Sequence, residues 1–154
     1  MTLLSLRNRQ RTRAVDLRLL RKITISSLRE DFQVQEFELG IHLVAAEKMA
    51  AVNEQFLQHS GSTDVITFDH AENKNALYGE IYISIDDAVS QAKEFKTTWQ
   101  SELVRYVVHG ILHLRGFDDL EPVARKKMKR EENRVVRELT GRFSLSKLQR
   151  SSKK

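Results

Sequence analysis

The sequence predicts an α+β domain in which a small mixed four-stranded sheet is covered by about five helices. Short apolar or alternating segments indicate strands, and longer segments with helical apolar spacing indicate helices. The two kinds follow one another in the order β-α-β-α-β-β-α-α-α. The chain has 154 residues and no internal repeat, so we expect a single domain, which we assign to residues 1–141.

The first half of the chain supplies three strands and two helices. An apolar stretch indicates a strand within 1–10, and helical spacing of apolar residues indicates a helix over 14–32. Strict alternation of apolar residues marks a strand at 37–43. Helical spacing returns over 47–57, and a further strand is predicted at 63–68 after a polar loop.

The second half begins with a strand at 77–83, which a short loop joins to the preceding strand as an antiparallel pair. A capping pattern that starts at Ser84 predicts a helix to about residue 96. A second helix is predicted over 100–115. Pro122 suits the first turn of a last helix, and Gly141 ends it.

Composition restricts the class of protein. The chain is 40% hydrophobic and 31% charged, as in globular domains, and no apolar run approaches the roughly 20 residues that span a membrane. The absence of cysteine excludes disulfides and thiolate metal ligands and agrees with the cytoplasmic location that we expect. The Arg-rich segment 1–22 also fits a transit peptide, but it lacks serine enrichment, so a strand and a basic helix explain it better.

Positive charge is concentrated at the two ends of the chain. Residues 1–22 carry a net charge of +6 and residues 142–154 carry +5, which leaves −6 for the middle out of a total of +5. This distribution fits a polyanion such as RNA at the periphery and a metal ion in the centre, and solvated helix faces would give the same pattern. We expect 142–154 to be a basic, flexible tail.

Two histidines predict a metal site on a central helix. His109 and His113 are four residues apart, so their rings project from nearly the same face and could bind one Zn²⁺ at about 2.0–2.1 Å. Gly116 then ends the helix and allows Asp118 or Asp119 to fold back as a third ligand. Solvated histidines often share this spacing, but the metzincin register H-x-x-x-H-x-x-G-x-x-[H/D] selects His109, His113 and Asp119 as metal ligands.

The residue after the first histidine argues against a peptidase. Zinc metalloproteases place a glutamate there as the general base that activates water, and this chain has Gly110. A zinc peptidase or amidase is therefore a disfavoured alternative, whereas the metal site itself is unaffected.

The same segment resembles a known family. Residues 109–118 read HGILHLRGFD, which is similar to the HGxLHLxGYD motif of the YbeY endoribonucleases. Residues 63–68, TDVITF, resemble the family's TDVLSF strand, and residues 79–81, GEI, resemble its GDI strand. Asn53 stands where the family has an asparagine in the preceding helix.

This resemblance implies a zinc-dependent, single-strand-specific endoribonuclease with one Zn²⁺ per chain. It implies a role in 3′-end maturation of small-subunit ribosomal RNA and in ribosome quality control, with the zinc polarising a phosphate oxygen, activating water, or both. The implied partners are ribosomal RNA, the small ribosomal subunit, a ribosomal protein of the S11 type and a GTPase of the Era type, and no membrane.

Two positions depart from the family pattern. Its third ligand is usually histidine, and Asp119 should leave a bound water less acidic than in a three-histidine site. Its arginine four residues after Asn53 is Leu57 here, which removes a phosphate contact. These departures keep open a non-catalytic, ribosome-binding assembly factor with a vestigial metal site.

Other side chains are candidates for contacts with the substrate. His59, in the polar loop, could transfer a proton or bind phosphate, although such histidines are usually just exposed. Arg105, one turn before His109, could bind phosphate or pair with Glu102 or Asp119.

Two further roles stay open at the level of sequence. Asp64 could accept a hydrogen bond from a ligand imidazole or cap a turn. Trp99 and Tyr106 could stack on bases, but aromatic residues at helical spacing more often belong to the core.

Overall fold

The computed structural model describes residues 2–57, 63–73 and 76–150. These residues form four strands, β1 (Thr2–Arg9), β2 (Phe37–Val44), β3 (Val65–Asp69) and β4 (Leu77–Ser84). They also form five α-helices, α1 (Leu17–Ser26), α2 (Ala46–Leu57), α3 (Ile85–Phe95), α4 (Trp99–Leu114) and α5 (Pro122–Arg142). A π-helical turn, Ser27–Asp31, continues α1, and a 3-10 turn, Leu145–Leu148, follows α5. The predicted α+β fold class is confirmed.

The sheet is mixed, with strand order β1-β2-β4-β3. Strands β1, β2 and β4 are parallel, and β3 runs antiparallel to β4. Thr67 of β3 pairs with Ile81 of β4, so the predicted antiparallel pair is also confirmed.

The two faces of the sheet carry different helices. Successive side chains of a strand point to opposite faces, and Ile41 and Ile81 lie fully buried on the face that α4 covers. Helix α4 also contacts α3 and α5, which makes it the central helix of the domain. Helix α2 packs Met49 and Val52 against Ile66, in a separate apolar cluster.

The segment after α5 packs against the body of the domain, unlike the flexible tail that we expected for 142–154. Leu148 is fully buried and Leu145 is buried. Gln149 pairs with Val15 in an isolated antiparallel bridge. The two leucines, three residues apart, form a small apolar face that the basic composition of the segment conceals. Its last four residues lie outside the described part of the chain.

Among the described residues, no helix has the length and apolar content that a bilayer crossing requires.

Candidate metal centre

Helix α4 positions the two histidines at the edge of the core. At its start, the hydroxyl oxygen of Thr98 accepts a hydrogen bond from the backbone N–H of Ser101. Its end coincides with the predicted stop, because Gly116 adopts a φ of +94°, a conformation that favours glycine. His109 and His113 project from the side of α4 that is not sealed by the core, and their side chains are half-buried.

Three atoms that could bind a metal ion, two nitrogens and one oxygen, lie close together near the C-terminal end of α4. Nε2 of His109 lies 3.1 Å from Nε2 of His113. Oδ2 of Asp119 lies 3.7 Å from the first of these nitrogens and 3.5 Å from the second. A tetrahedral zinc ion with ligands at about 2.0–2.1 Å separates its donors by roughly 3.3 Å. The three atoms therefore already have nearly the spacing that one such ion requires.

The loop after α4 gives its two aspartates different roles. Oδ1 of Asp118 accepts a hydrogen bond from the backbone N–H of Leu120 at 2.8 Å, so this side chain caps a local turn. The carboxylate of Asp119 points back to the histidines. Asp119, rather than Asp118, is therefore the aspartate that the fold brings to the two rings.

The hydrogen bonds of the two Nδ1 atoms indicate which ring nitrogens carry protons. Nδ1 of His109 is 2.7 Å from Oε1 of Glu132, and Nδ1 of His113 is 3.2 Å from the backbone carbonyl oxygen of Phe117. Carbonyl and carboxylate oxygens only accept hydrogen bonds, so both Nδ1 atoms carry a proton and donate it. In neutral imidazoles the two Nε2 lone pairs then face each other. Two acceptors this close repel, and a divalent cation between them and Asp119 fits this donor set.

Glu132 of α5 is the buried acid of the centre. Besides His109, its carboxylate accepts hydrogen bonds from Arg105 at 2.7 Å and from Lys129 at 3.1 Å. Burial raises the pKa of Glu132, but the hydrogen bonds from His109 and Arg105 and the charge of Lys129 outweigh this effect and lower the pKa to about 2. The carboxylate is therefore ionised and acts as a permanent acceptor for His109.

Gly110 is required by the packing of α4 on the sheet. A Cβ atom at this position would lie 2.7 Å from Cδ1 and 2.8 Å from Cγ2 of Ile81 in β4. These distances are shorter than real Cβ contacts, so the glutamate of a zinc peptidase would fit here only if the Ile81 side chain shifted. The steric argument agrees with the sequence argument against a peptidase.

A cavity of about 460 Å³ opens beside His109 and Asp119. Its walls carry charges of both signs, three cations and four acids: Arg105, Arg125, Lys129, Asp64, Glu102, Asp119 and Glu132. Phe95, with 61% of its surface exposed, lies at the end of α3 and also lines the cavity. The site thus combines a candidate metal centre with a half-open chamber large enough for part of a substrate.

Comparisons with known proteins decide the family. Residues 5–140 match the family model described as endoribonuclease YbeY. The chain belongs to the YbeY family. Endoribonuclease YbeY of Parabacteroides distasonis is 38% identical over 112 residues, which cover 73% of this chain and 78% of the relative. Endoribonuclease YbeY of Bacteroides fragilis is 39% identical over 99 residues, which cover 64% and 70% of the two chains.

The fold is similar to a solved structure over nearly its whole length. The solution structure of TM1509 from Thermotoga maritima superimposes with a TM-score of 0.70 and 27% identity, and the alignment covers 97% of both chains. The similarity includes all the elements that hold the candidate centre.

Several candidate residues of this YbeY chain differ from the sequence expectation. Arg105 pairs with Glu132, not with Glu102 or Asp119, because Glu132 points into the same corner from α5. The carboxylate of Asp64 accepts hydrogen bonds from the backbone of the next residue and from a glutamine side chain, not from an imidazole. His59 lies outside the described residues.

The two aromatic candidates on α4 belong to the interior. Trp99 is 8% exposed and Tyr106 is 3% exposed. Both pack in the main apolar cluster, so the core interpretation is correct and neither offers a free face for stacking.

Glu132 is the site residue that sequence reasoning missed. It lies 23 positions after His109, in a helix that reads as a basic, solvated segment. A signal was present, because Glu132 interrupts the apolar stripe formed by Met128, Val135 and Leu139 at helical spacing. An acid on the buried side of an amphipathic helix requires a charged or hydrogen-bonding partner inside the fold.

Proposed function

We propose that this chain is a zinc-dependent endoribonuclease that cuts single-stranded RNA and acts in 3′-end maturation of small-subunit ribosomal RNA and in ribosome quality control. The observation that carries the proposal is the donor set of His109, His113 and Asp119, in which Nδ1 of each imidazole lies against an acceptor oxygen and Nε2 faces the other two ligand atoms. Membership of the YbeY endoribonuclease family supports the RNA substrate.

In this proposal His109, His113 and Asp119 bind one zinc ion and leave room for a further ligand from the cavity side. When bound, zinc supplies positive charge that polarises a phosphate oxygen and acidifies water. Glu132 keeps the ring of His109 oriented and its Nδ1 protonated. We assign the scissile phosphodiester to the cavity beside the ligands.

Two further residues keep the roles proposed from the sequence. Arg105 lines the cavity and is our candidate for a phosphate contact, although its guanidinium already bonds Glu132. His59, two residues after the end of α2, is our candidate for proton transfer. Both assignments are secondary to the three metal ligands.

The proposal extends to location and partners. We place the protein in the cytoplasm, on the small ribosomal subunit, with a ribosomal protein of the S11 type and a GTPase of the Era type as partners. The support for these assignments is family membership together with a net charge of +5, which favours polyanionic partners.

The test combines metal removal with two RNA substrates. The purified chain is stripped with a chelator, reloaded with zinc, and incubated with a 3′-extended single-stranded ribosomal RNA fragment or with the same fragment annealed into a duplex. We expect the reloaded protein to cut the single strand and to leave the duplex intact, and the stripped protein to cut neither.

The double variant His109→Ala, His113→Ala is the control, with thermal unfolding to verify that it folds. It should bind no zinc and cut neither RNA. A reloaded parent that binds RNA without cutting it would contradict the proposal and favour a non-catalytic assembly factor. Equal cleavage by the parent and the double variant would show that the two histidines are not needed, which also contradicts the proposal.

A further inference from the structure

The first half of α5 carries a cluster of exposed basic side chains beside the candidate metal centre. Five of the six residues from 125 to 130 are arginine or lysine, and none is acidic. On a helix, positions four apart lie on one face, so Arg125 and Lys129 form one stripe and Lys126 and Arg130 form the adjacent one. We call these four side chains the basic row: Arg125, Lys126, Lys129 and Arg130.

The basic row borders the same cavity as the metal ligands. Arg125 and Lys129 line the cavity together with His109 and Asp119. Nε of Arg125 donates a hydrogen bond to the backbone carbonyl oxygen of Asp119 at 3.1 Å. This contact holds the guanidinium against the loop that carries the third ligand.

Most of this charge is not neutralised by the protein. Lys129 pairs with Glu132. Across the described ranges of the chain, Arg125, Lys126 and Arg130 have no carboxylate within ion-pairing distance. In the second half of the same helix, two of the three arginines are paired: Arg134 with Glu131, and Arg142 with acids of the π-helical turn.

Apart from the Lys129–Glu132 pair, the basic row forms no ion pair that stabilises α5 among the described residues. The first turn of the helix has no acidic side chain and no side-chain cap. The helix dipole favours acids at this end, and neighbouring cations repel one another, so the arrangement costs stability. A local arrangement that opposes its own helix points to a binding role.

We propose that the basic row binds the phosphate backbone of single-stranded RNA and guides it into the cavity beside His109 and Asp119. This inference rests on the proposed function for its substrate class. Phe95, exposed on the wall of the same cavity, gives an unpaired base a surface for stacking. With this proposal, the main RNA contact is expected on α5 and not at the two ends of the chain.

The test compares two triple variants that remove the same number of charges. The first is Arg125→Gln, Lys126→Gln, Arg130→Gln. The control is Arg137→Gln, Lys147→Gln, Arg150→Gln, which changes exposed cations at the far end of α5 and in the segment after it. Arg137 lies twelve residues after Arg125, about 18 Å along the helix axis. Thermal unfolding verifies that both variants fold.

The measurement is the affinity of the zinc-loaded proteins for an unstructured 2′-O-methyl oligoribonucleotide at several salt concentrations. The oligonucleotide is verified to be intact afterwards. For single strands each neutralised phosphate contributes about 0.7 to the slope of log K against log salt. The first variant should therefore lose up to about 2 units of slope, while the control keeps the parent's slope.

The outcomes separate this inference from the proposed function. If the parent cuts RNA and the first variant keeps its slope, or if only the control loses slope, the inference is overturned and the nuclease stands. If the first variant loses slope but the parent never cuts RNA, RNA binding by the basic row stands and the proposed nuclease activity fails. A parent that does not bind the oligonucleotide contradicts both.

Discussion

Glu132 connects the helix that carries the histidines with the helix that carries the basic row. Only 3% of its surface is exposed, and it bonds His109, Arg105 and Lys129. A buried carboxylate with this many donors both orients a candidate metal ligand and pairs with two cations. Its loss should therefore affect metal affinity and stability together.

We predict that Glu132→Ala weakens zinc affinity about 10–100-fold, the usual effect of losing an outer hydrogen-bond partner of a ligand histidine. It should also lower the free energy of unfolding by about 1–3 kcal/mol, because the partners of Glu132 lose a buried acceptor. Glu132→Gln, which retains an acceptor oxygen, should have the smaller effect on zinc. Competition with a chelating dye and thermal unfolding measure the two quantities.

Glu131→Gln is the matched control for this prediction, since within the described residues Glu131 forms an ion pair with Arg134 alone, near the surface. It should leave zinc affinity at the parent's level. If Glu132→Ala binds zinc as tightly as this control, the orienting role of Glu132 is wrong.

At the level of single residues, the chemistry that depends on local spacing could be predicted and the chemistry that depends on packing could not. His109, His113 and Asp119 lie within eleven positions of one another, so helix geometry and a glycine stop were enough to bring them together. Glu132 reaches the centre only because α5 packs on α4. The pairing of Arg105 was wrong for the same reason.

Among helices and strands, too, features that depend on a local pattern could be predicted and features that depend on distant contacts could not. The alternating strand at 37–43 and the apolar periodicity of α4 predicted their elements closely, because burial on one face imposes a period on the sequence. The first helix begins at Leu17, later than predicted, because Val15 is held in a bridge with Gln149. Asp16 also caps this helix by accepting a hydrogen bond from the backbone N–H of Leu19, which is a local signal, whereas the bridge between distant residues leaves none.

The segment after α5 gives the clearest prediction at this scale. We predict that Leu148→Ala lowers the free energy of unfolding by about 2–5 kcal/mol, because the leucine is fully buried and its removal leaves a cavity. Lys147→Ala, at the exposed neighbouring position, should change it by less than about 0.5 kcal/mol. Denaturant unfolding followed by circular dichroism compares the two variants.

If the segment were a flexible tail, the two substitutions would change the free energy of unfolding by the same small amount. If Leu148→Ala unfolds at the same denaturant concentration as Lys147→Ala, the segment does not belong to the folded domain. The two variants thus distinguish a docked segment from a solvated one.

For the whole molecule, the fold brings separate sources of charge into one place. The sequence showed basic ends around an acidic middle, and this pattern hid the basic start of α5 within the middle. In the folded chain, the basic row, the cavity and the three metal donors are neighbours. A cationic surface beside a candidate metal centre fits the proposed nuclease, whose substrate is a polyanion.

We propose that His109, His113 and Asp119 together bind one divalent ion. Isothermal calorimetry tests this when zinc is titrated into three metal-free proteins: the parent, Asp119→Ala and Asp118→Ala. The parent and Asp118→Ala should bind one zinc per chain with equal affinity, because Asp118 only caps a turn. Asp119→Ala should bind about 100-fold more weakly or worse, since it loses a direct ligand. Zinc binding by Asp119→Ala as tight as that of the parent would contradict the account.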